Sequence, residues 1–219
     1  MSEEYNTLND QNPEPVEPVF RTERAGLVER AKNILTNPKR EWEVVASEVP
    51  DVGGIITGYV IPLALVPAVA ILLAAVLLGG GLGLAFGIGQ AVVTLIAAVL
   101  SVLLSAAIIN ALAGTFDAKK DFGRAVQLVA YASTPSWVLG ILNLIPFMIF
   151  IVPWIGIAWS IYLYYLGLGP VMKTPQGKEI GYMIVAAIAM IVVYFVIAAI
   201  LGGILLLMVG GVGAASSYM

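Results

Sequence analysis

The chain has 219 residues, of which 60% are apolar and 11% charged, and it carries a formal charge of −3 at neutral pH. A soluble domain carries about 25% charged residues, so a fully water-facing surface is excluded. The lack of Cys and His removes disulfides, thiolate nucleophiles, haem ligation through those side chains and ordinary zinc sites.

The charge-free runs set the architecture. Asp51 and Asp117 are separated by 65 uncharged residues, Arg124 and Lys173 by 48, and the 40 residues after Glu179 are uncharged. A bilayer core about 30 Å thick takes about 20 apolar helical residues per span, so the runs hold two, two and one spans. Lipid offers no partner to backbone N–H and C=O groups, which makes the spans helical. The runs lack the polar–apolar alternation of a barrel strand. The expected fold is all-α: a polytopic bundle of five transmembrane helices with an N-terminal amphipathic juxtamembrane helix.

Residues 1–21 read as a disordered acidic cytoplasmic tail. The first twenty hold five acids, three prolines and no Lys or Arg, too little apolar surface to offset the entropy of ordering. They contain no apolar signal-peptide core, so the first span is expected to serve as its own insertion signal.

Residues 22–51 change to helical period. Leu27, Val28, Ala31, Ile34 and Leu35 fall within an arc of about 120°. Asn37-Pro38 reads as an N-cap followed by a first-turn proline. Arg24, Arg30, Lys32, Lys39 and Arg40, with Trp42, are expected at the membrane surface beside anionic head groups. Glu23, Glu29, Glu41 and Glu43 dilute that basic charge, and a helix pair packed on the end of the bundle is the competing reading.

Residues 52–210 form the transmembrane domain. The first span is expected near 55–78, kinked at Pro62 and Pro67, and is followed by a glycine-rich turn from Gly79 to Gly89. The second covers about 90–113, the third 125–142 and the fourth 154–172, with a turn over Asn143–Pro153. The fifth covers about 180–208, long enough to need tilt or a break at Gly202-Gly203. Residues 211–219 are a short tail. With five spans, all eleven Lys/Arg and all fourteen acids lie on the N-terminal side. The positive-inside rule places that side in the cytoplasm and the C-terminus outside.

Enzyme motifs fail in turn. Gly81, Gly83 and Gly87 lack the preceding strand and following acid of a dinucleotide loop, and Gly177-Lys178 lacks the first glycine of a phosphate loop. Asp117 and Asp121 lie in a loop rather than paired at depth, and no histidine or buried lysine stands ready to activate a serine. No catalytic residue, metal site or cofactor is expected. Within the bilayer remain neutral polar residues: Gln90, Asn110, Tyr131, Ser133, Thr134, Ser136 and Tyr162. Interhelical hydrogen bonding is the plain reading; a path for a neutral or zwitterionic ligand is the sharper one. Pro135 withholds a donor from the carbonyl near Tyr131, which Ser133, Thr134 or water can replace. Asn110, Tyr131, Ser133, Thr134, Pro135 and Tyr162 form the candidate polar cluster, with Asn110 and Tyr162 expected to partner Tyr131. The pairs Gly54/Gly58 and Gly83/Gly87 have the spacing of close helix packing.

The stretch 115–142, TFDAKKDFGRAVQLVAYASTPSWVLGIL, and the stretch 159–182, WSIYLYYLGLGPVMKTPQGKEIGY, resemble the third and fourth spans of the Yip (Ypt-interacting protein) family, bacterial branch. RAKNILTNPKREWEVVASE resembles that family's juxtamembrane segment. The resemblance covers about residues 24–205 and is most specific in Tyr131-x-x-Thr134-Pro135 with Tyr165-Leu-Gly167. It implies a five-span helical domain with a cytosolic N-terminus in the bacterial cytoplasmic (inner) membrane. Eukaryotic relatives act as trafficking adaptors that bind small GTPases and one another. Their longer N-terminal region has no match in this acidic tail, so small-GTPase binding is not carried over. The expected role is a non-catalytic scaffold or adaptor whose partners are the lipid bilayer and itself or another membrane protein, and not nucleic acid. The alternative is a transporter, channel or lipid-moving protein.

Overall fold

A computed structural model describes residues 25–78, 83–193 and 195. The acidic tail, Arg24, residues 79–82 and the C-terminal stretch that would complete the fifth span lie outside the described residues. Among the described residues regular structure is entirely helical.

Two ten-residue helices open the fold, α1 (Leu27–Thr36) and α2 (Pro38–Ser47), with Asn37 alone between them. Pro38 occupies the first turn of α2, where its missing N–H costs nothing; Asn37 sits at the N-cap position but its side chain makes no capping hydrogen bond. The next helix starts at Asp51, whose carboxylate accepts from the Gly54 N–H at 3.0 Å. It runs as α3 (Val52–Ile55), a π turn over Ile56–Val60 and α4 (Ile61–Leu78). The widened turn lies just before Pro62, one way a helix absorbs a proline.

The helix α5 (Gly83–Leu112) returns antiparallel to α4. It begins inside the glycine run that the sequence suggested as a turn, so Gly83, Gly87 and Gly89 are helical. The reason is packing. A Cβ on Gly83 would lie 2.1 Å from the Ala75 carbonyl oxygen, and one on Gly87 would lie 2.9 Å from a Leu72 methyl. Gly83 and Gly87 therefore bring α4 and α5 into close approach. Gly58, by contrast, faces open space.

The third hydrophobic stretch is broken into α6 (Phe122–Ala132), α7 (Thr134–Leu139) and 3-10 turns from Gly140 to Phe150. Every residue from Ala125 to Ala132 is buried, so α6 is enclosed on all sides. The helix α8 (Val152–Met172) returns, and α9 (Glu179–Val193) sets off again from the same end. Val52–Leu77, Gly83–Phe116, Phe122–Leu144 and Val152–Met172 are long and apolar enough to cross a membrane. The described part of α9 is apolar but shorter.

One end of the bundle carries the charge. There Asp117 and Lys173 adopt left-handed backbone conformations, the Lys119 N–H donates to the Met172 carbonyl at 2.7 Å, and Lys178 pairs with Asp117. Phe116 stacks on Tyr182 at 4.9 Å, and the Tyr182 hydroxyl donates to the Ile109 carbonyl, which ties α9 to α5. The opposite end exposes Phe147, Phe150 and Trp154; Trp154 is of the amphipathic kind that settles at a membrane–water interface.

Candidate functional site

Pro135 begins the construction. Without an N–H it cannot donate to the Tyr131 carbonyl one turn back, and α6 ends at Ala132. The Thr134 hydroxyl donates to that carbonyl at 2.6 Å. Having spent its single proton, Thr134 accepts from the Tyr59 hydroxyl on the first span at 2.7 Å. The ring of Tyr59 meets that of Tyr131 edge-on, with centroids 4.8 Å apart. Tyr59, Tyr131 and Thr134 are all buried, and together they join the first and third hydrophobic stretches.

The other side of this centre is covered by α1 and α2. The Arg30 guanidinium lies 5.2 Å from the Tyr131 ring centroid, a cation–π distance. It pairs with Glu41 at 2.7 Å and also with Glu48. All three charged residues are buried. Burial works against the charge on Arg30, but Glu48, Tyr131 and Glu41 outweigh it and hold the guanidinium above its ordinary pKa. Trp42 is fully buried. Its ring lies over Gly167 of α8, where a Cβ would come within 2.9 Å of the indole, and its centroid is 6.5 Å from that of Tyr131. The Trp42 indole N–H and one Glu48 carboxylate oxygen are buried with no hydrogen-bond partner. Arg124 of α6 donates to the Val45 carbonyl at 3.1 Å.

The candidate polar cluster is thus gathered only in part. Tyr131, Thr134 and Pro135 meet at the centre, and Ser133 beside them bonds back to the Val129 carbonyl at 2.8 Å. Tyr162 is not their partner: it is exposed on the outer face of α8 beside Trp159. Asn110 is half-buried on α5, and its side-chain carbonyl has no hydrogen-bond partner. Tyr59 takes the partner role instead. Of the residues expected at the membrane surface, Lys32, Lys39 and Arg40 are exposed, whereas Arg30 and Trp42 are enclosed by protein.

Arg30 turns inward because Glu41 and Glu48 supply its countercharge. The sequence carried a signal for this. Glu41, Val45 and Glu48 share one helix face at i, i+4 and i+7, so a buried Val45 brings two acids with it. Among the described residues no group of three or more Asp or Glu side chains is arranged to hold a metal ion.

No curated protein and no solved structure matches the chain. The family profile described as "Yip1 domain" matches residues 32–200. That span takes in α1 from Lys32, all of α2 to α9 and the Tyr59–Tyr131–Thr134 centre, and the chain belongs to the Yip1 domain family.

Proposed function

We propose that this protein is a non-catalytic scaffold or adaptor of the bacterial cytoplasmic membrane, with five spans and its charged end in the cytoplasm. The observation that carries this reading is the closed packing of the polar centre. The hydroxyls of Tyr59 and Thr134 satisfy one another and the carbonyl freed by Pro135, and Trp42 and Arg30 enclose the Tyr131 ring. A conducting path would instead be expected to leave such groups facing water. The five-span arrangement is supported by α9, which starts at the charged end, is apolar and is tied to α5 there through Tyr182. The candidate cluster serves in this reading as a structural pivot, while Lys32, Lys39 and Arg40 face anionic head groups. The partner is itself or another membrane protein.

The alternative, a transporter, channel or lipid-moving protein, draws on Asn110, whose buried carbonyl lacks a hydrogen-bond partner. Proteoliposomes separate the two. A scaffold leaves solute flux and lipid scrambling at the level of protein-free vesicles. Flux that rises with protein content and falls on Asn110→Leu would replace the scaffold reading with the alternative.

A further inference from the structure

We infer that the α1–α2 hairpin is a removable plug, seated in a cleft that opens at the charged end of the bundle and has Tyr131, Tyr59 and Thr134 at its floor. The first observation is depth. Tyr131 lies nine residues into α6, about 13 Å from its charged-end start at 1.5 Å per residue, and Arg30 reaches its ring. Gly167 lies five residues before the end of α8, about 7 Å in, and Trp42 fills the notch above it. The backbone of α1 itself packs beside α7, which begins beyond Tyr131, so the hairpin does not lie flat over the bundle end.

The second observation is how the hairpin is held together. Both ion pairs of Arg30, to Glu41 in α2 and to Glu48 just past its end, lie within the hairpin segment. They staple the hairpin to itself, so neither of them anchors it to the bundle. Its grip on the bundle includes Trp42 over Gly167, Arg30 over Tyr131 and the Arg124–Val45 hydrogen bond.

The third observation is the burial cost. Two carboxylates and one guanidinium are buried together, and a carboxylate oxygen of Glu48 and the indole N–H of Trp42 have no hydrogen-bond partner. Water would satisfy these groups on release. A buried ion cluster contributes little net stability once desolvation is counted. The seated state therefore rests on the apolar set Ala31, Ile34, Trp42 and Val45, with Leu27 and Leu35 packed beside them. Helices of ten residues are marginal alone, so the released hairpin is expected to lose order. Release would bare a groove with Tyr131, Tyr59 and Thr134 at its floor and a notch at Gly167.

Hydrogen exchange on the full chain in lipid nanodiscs tests this without mutation. Residues 27–47 should exchange as one unit, at least tenfold faster than 125–132 of α6, because plug release is a partial opening. Equal protection in the two segments would make the hairpin a permanent part of the core and overturn the proposal. A second arm places a single cysteine by Thr134→Cys in the naturally cysteine-free chain and follows its reaction with a water-soluble thiol reagent. Adding Trp42→Ala should speed labelling at least tenfold while α6 keeps its exchange protection. Unchanged labelling with α6 still protected would overturn the proposal. Should Trp42→Ala unfold the bundle, the exchange pattern of the unmodified chain decides alone.

Discussion

Thr134 answers for two neighbours at once. Its hydroxyl serves the carbonyl that Pro135 leaves unserved and receives the Tyr59 hydroxyl. Thr134→Val keeps the shape and removes both bonds, leaving two buried polar atoms unpaired. Unfolding measured in detergent should show a loss of about 1–3 kcal/mol, and Thr134→Ser should recover most of it. In a Pro135→Ala background the backbone regains a donor for the Tyr131 carbonyl, so the Thr134→Val penalty should shrink; equal penalties in both backgrounds would deny the link. This part of the centre was legible in sequence, because a proline four residues after Tyr131 names the orphaned carbonyl and its nearest hydroxyls. Tyr59 was not legible as the partner. It lies 75 residues from Thr134, and no local period connects them. Tyr162 has the right chemistry and roughly the right depth, but the rotation of α8 turns it outward.

Among the elements, α4 and α5 pack on one another most extensively within the described residues, and glycine permits their close approach at Gly83 and Gly87. Gly83→Ala drives a methyl into the Ala75 backbone carbonyl, which cannot swing aside as a side chain can. The pair should splay at a cost of about 1–3 kcal/mol, read as lowered thermal stability. Gly89→Ala meets open space and should be neutral or stabilising, since alanine favours helix over glycine by about 0.5–1 kcal/mol. If both changes behave alike, the close approach is not what holds Gly83. In sequence the run of glycines looked like a turn, because glycine marks loops and tight helix contacts equally. The spacing of Gly83 and Gly87 was the correct signal, while the same spacing at Gly54 and Gly58 brings no such contact at Gly58. The hairpin shows a similar ambiguity. Its apolar stripe was visible, but the countercharges that let Arg30 follow the stripe inward lie on a different helix.

For the molecule as a whole, charge-free length alone carried the all-helical, membrane-spanning character, since only helices satisfy so much backbone away from water. The five-span arrangement predicts that single cysteines at Ser2, Lys119 and Gln176 stay shielded from an impermeant reagent in intact cells while one at Ser217 reacts. Labelling of Lys119 and Ser217 from the same side would reject it. Span lengths carry a further consequence. The helical stretch Gly83–Phe116 has 34 residues and Val152–Met172 has 21, about 50 Å and 31 Å at 1.5 Å per residue. The shorter one matches an average acyl core without inclination. The longer one must lean or emerge beyond it, and hydrophobic mismatch costs a fraction of a kcal/mol per ångström. Two rulers of unequal length in one molecule give it a preferred bilayer thickness. Reconstituted across lipids of increasing chain length, its thermal stability should pass through a maximum, and in a membrane of uneven thickness the protein would collect where the fit is best.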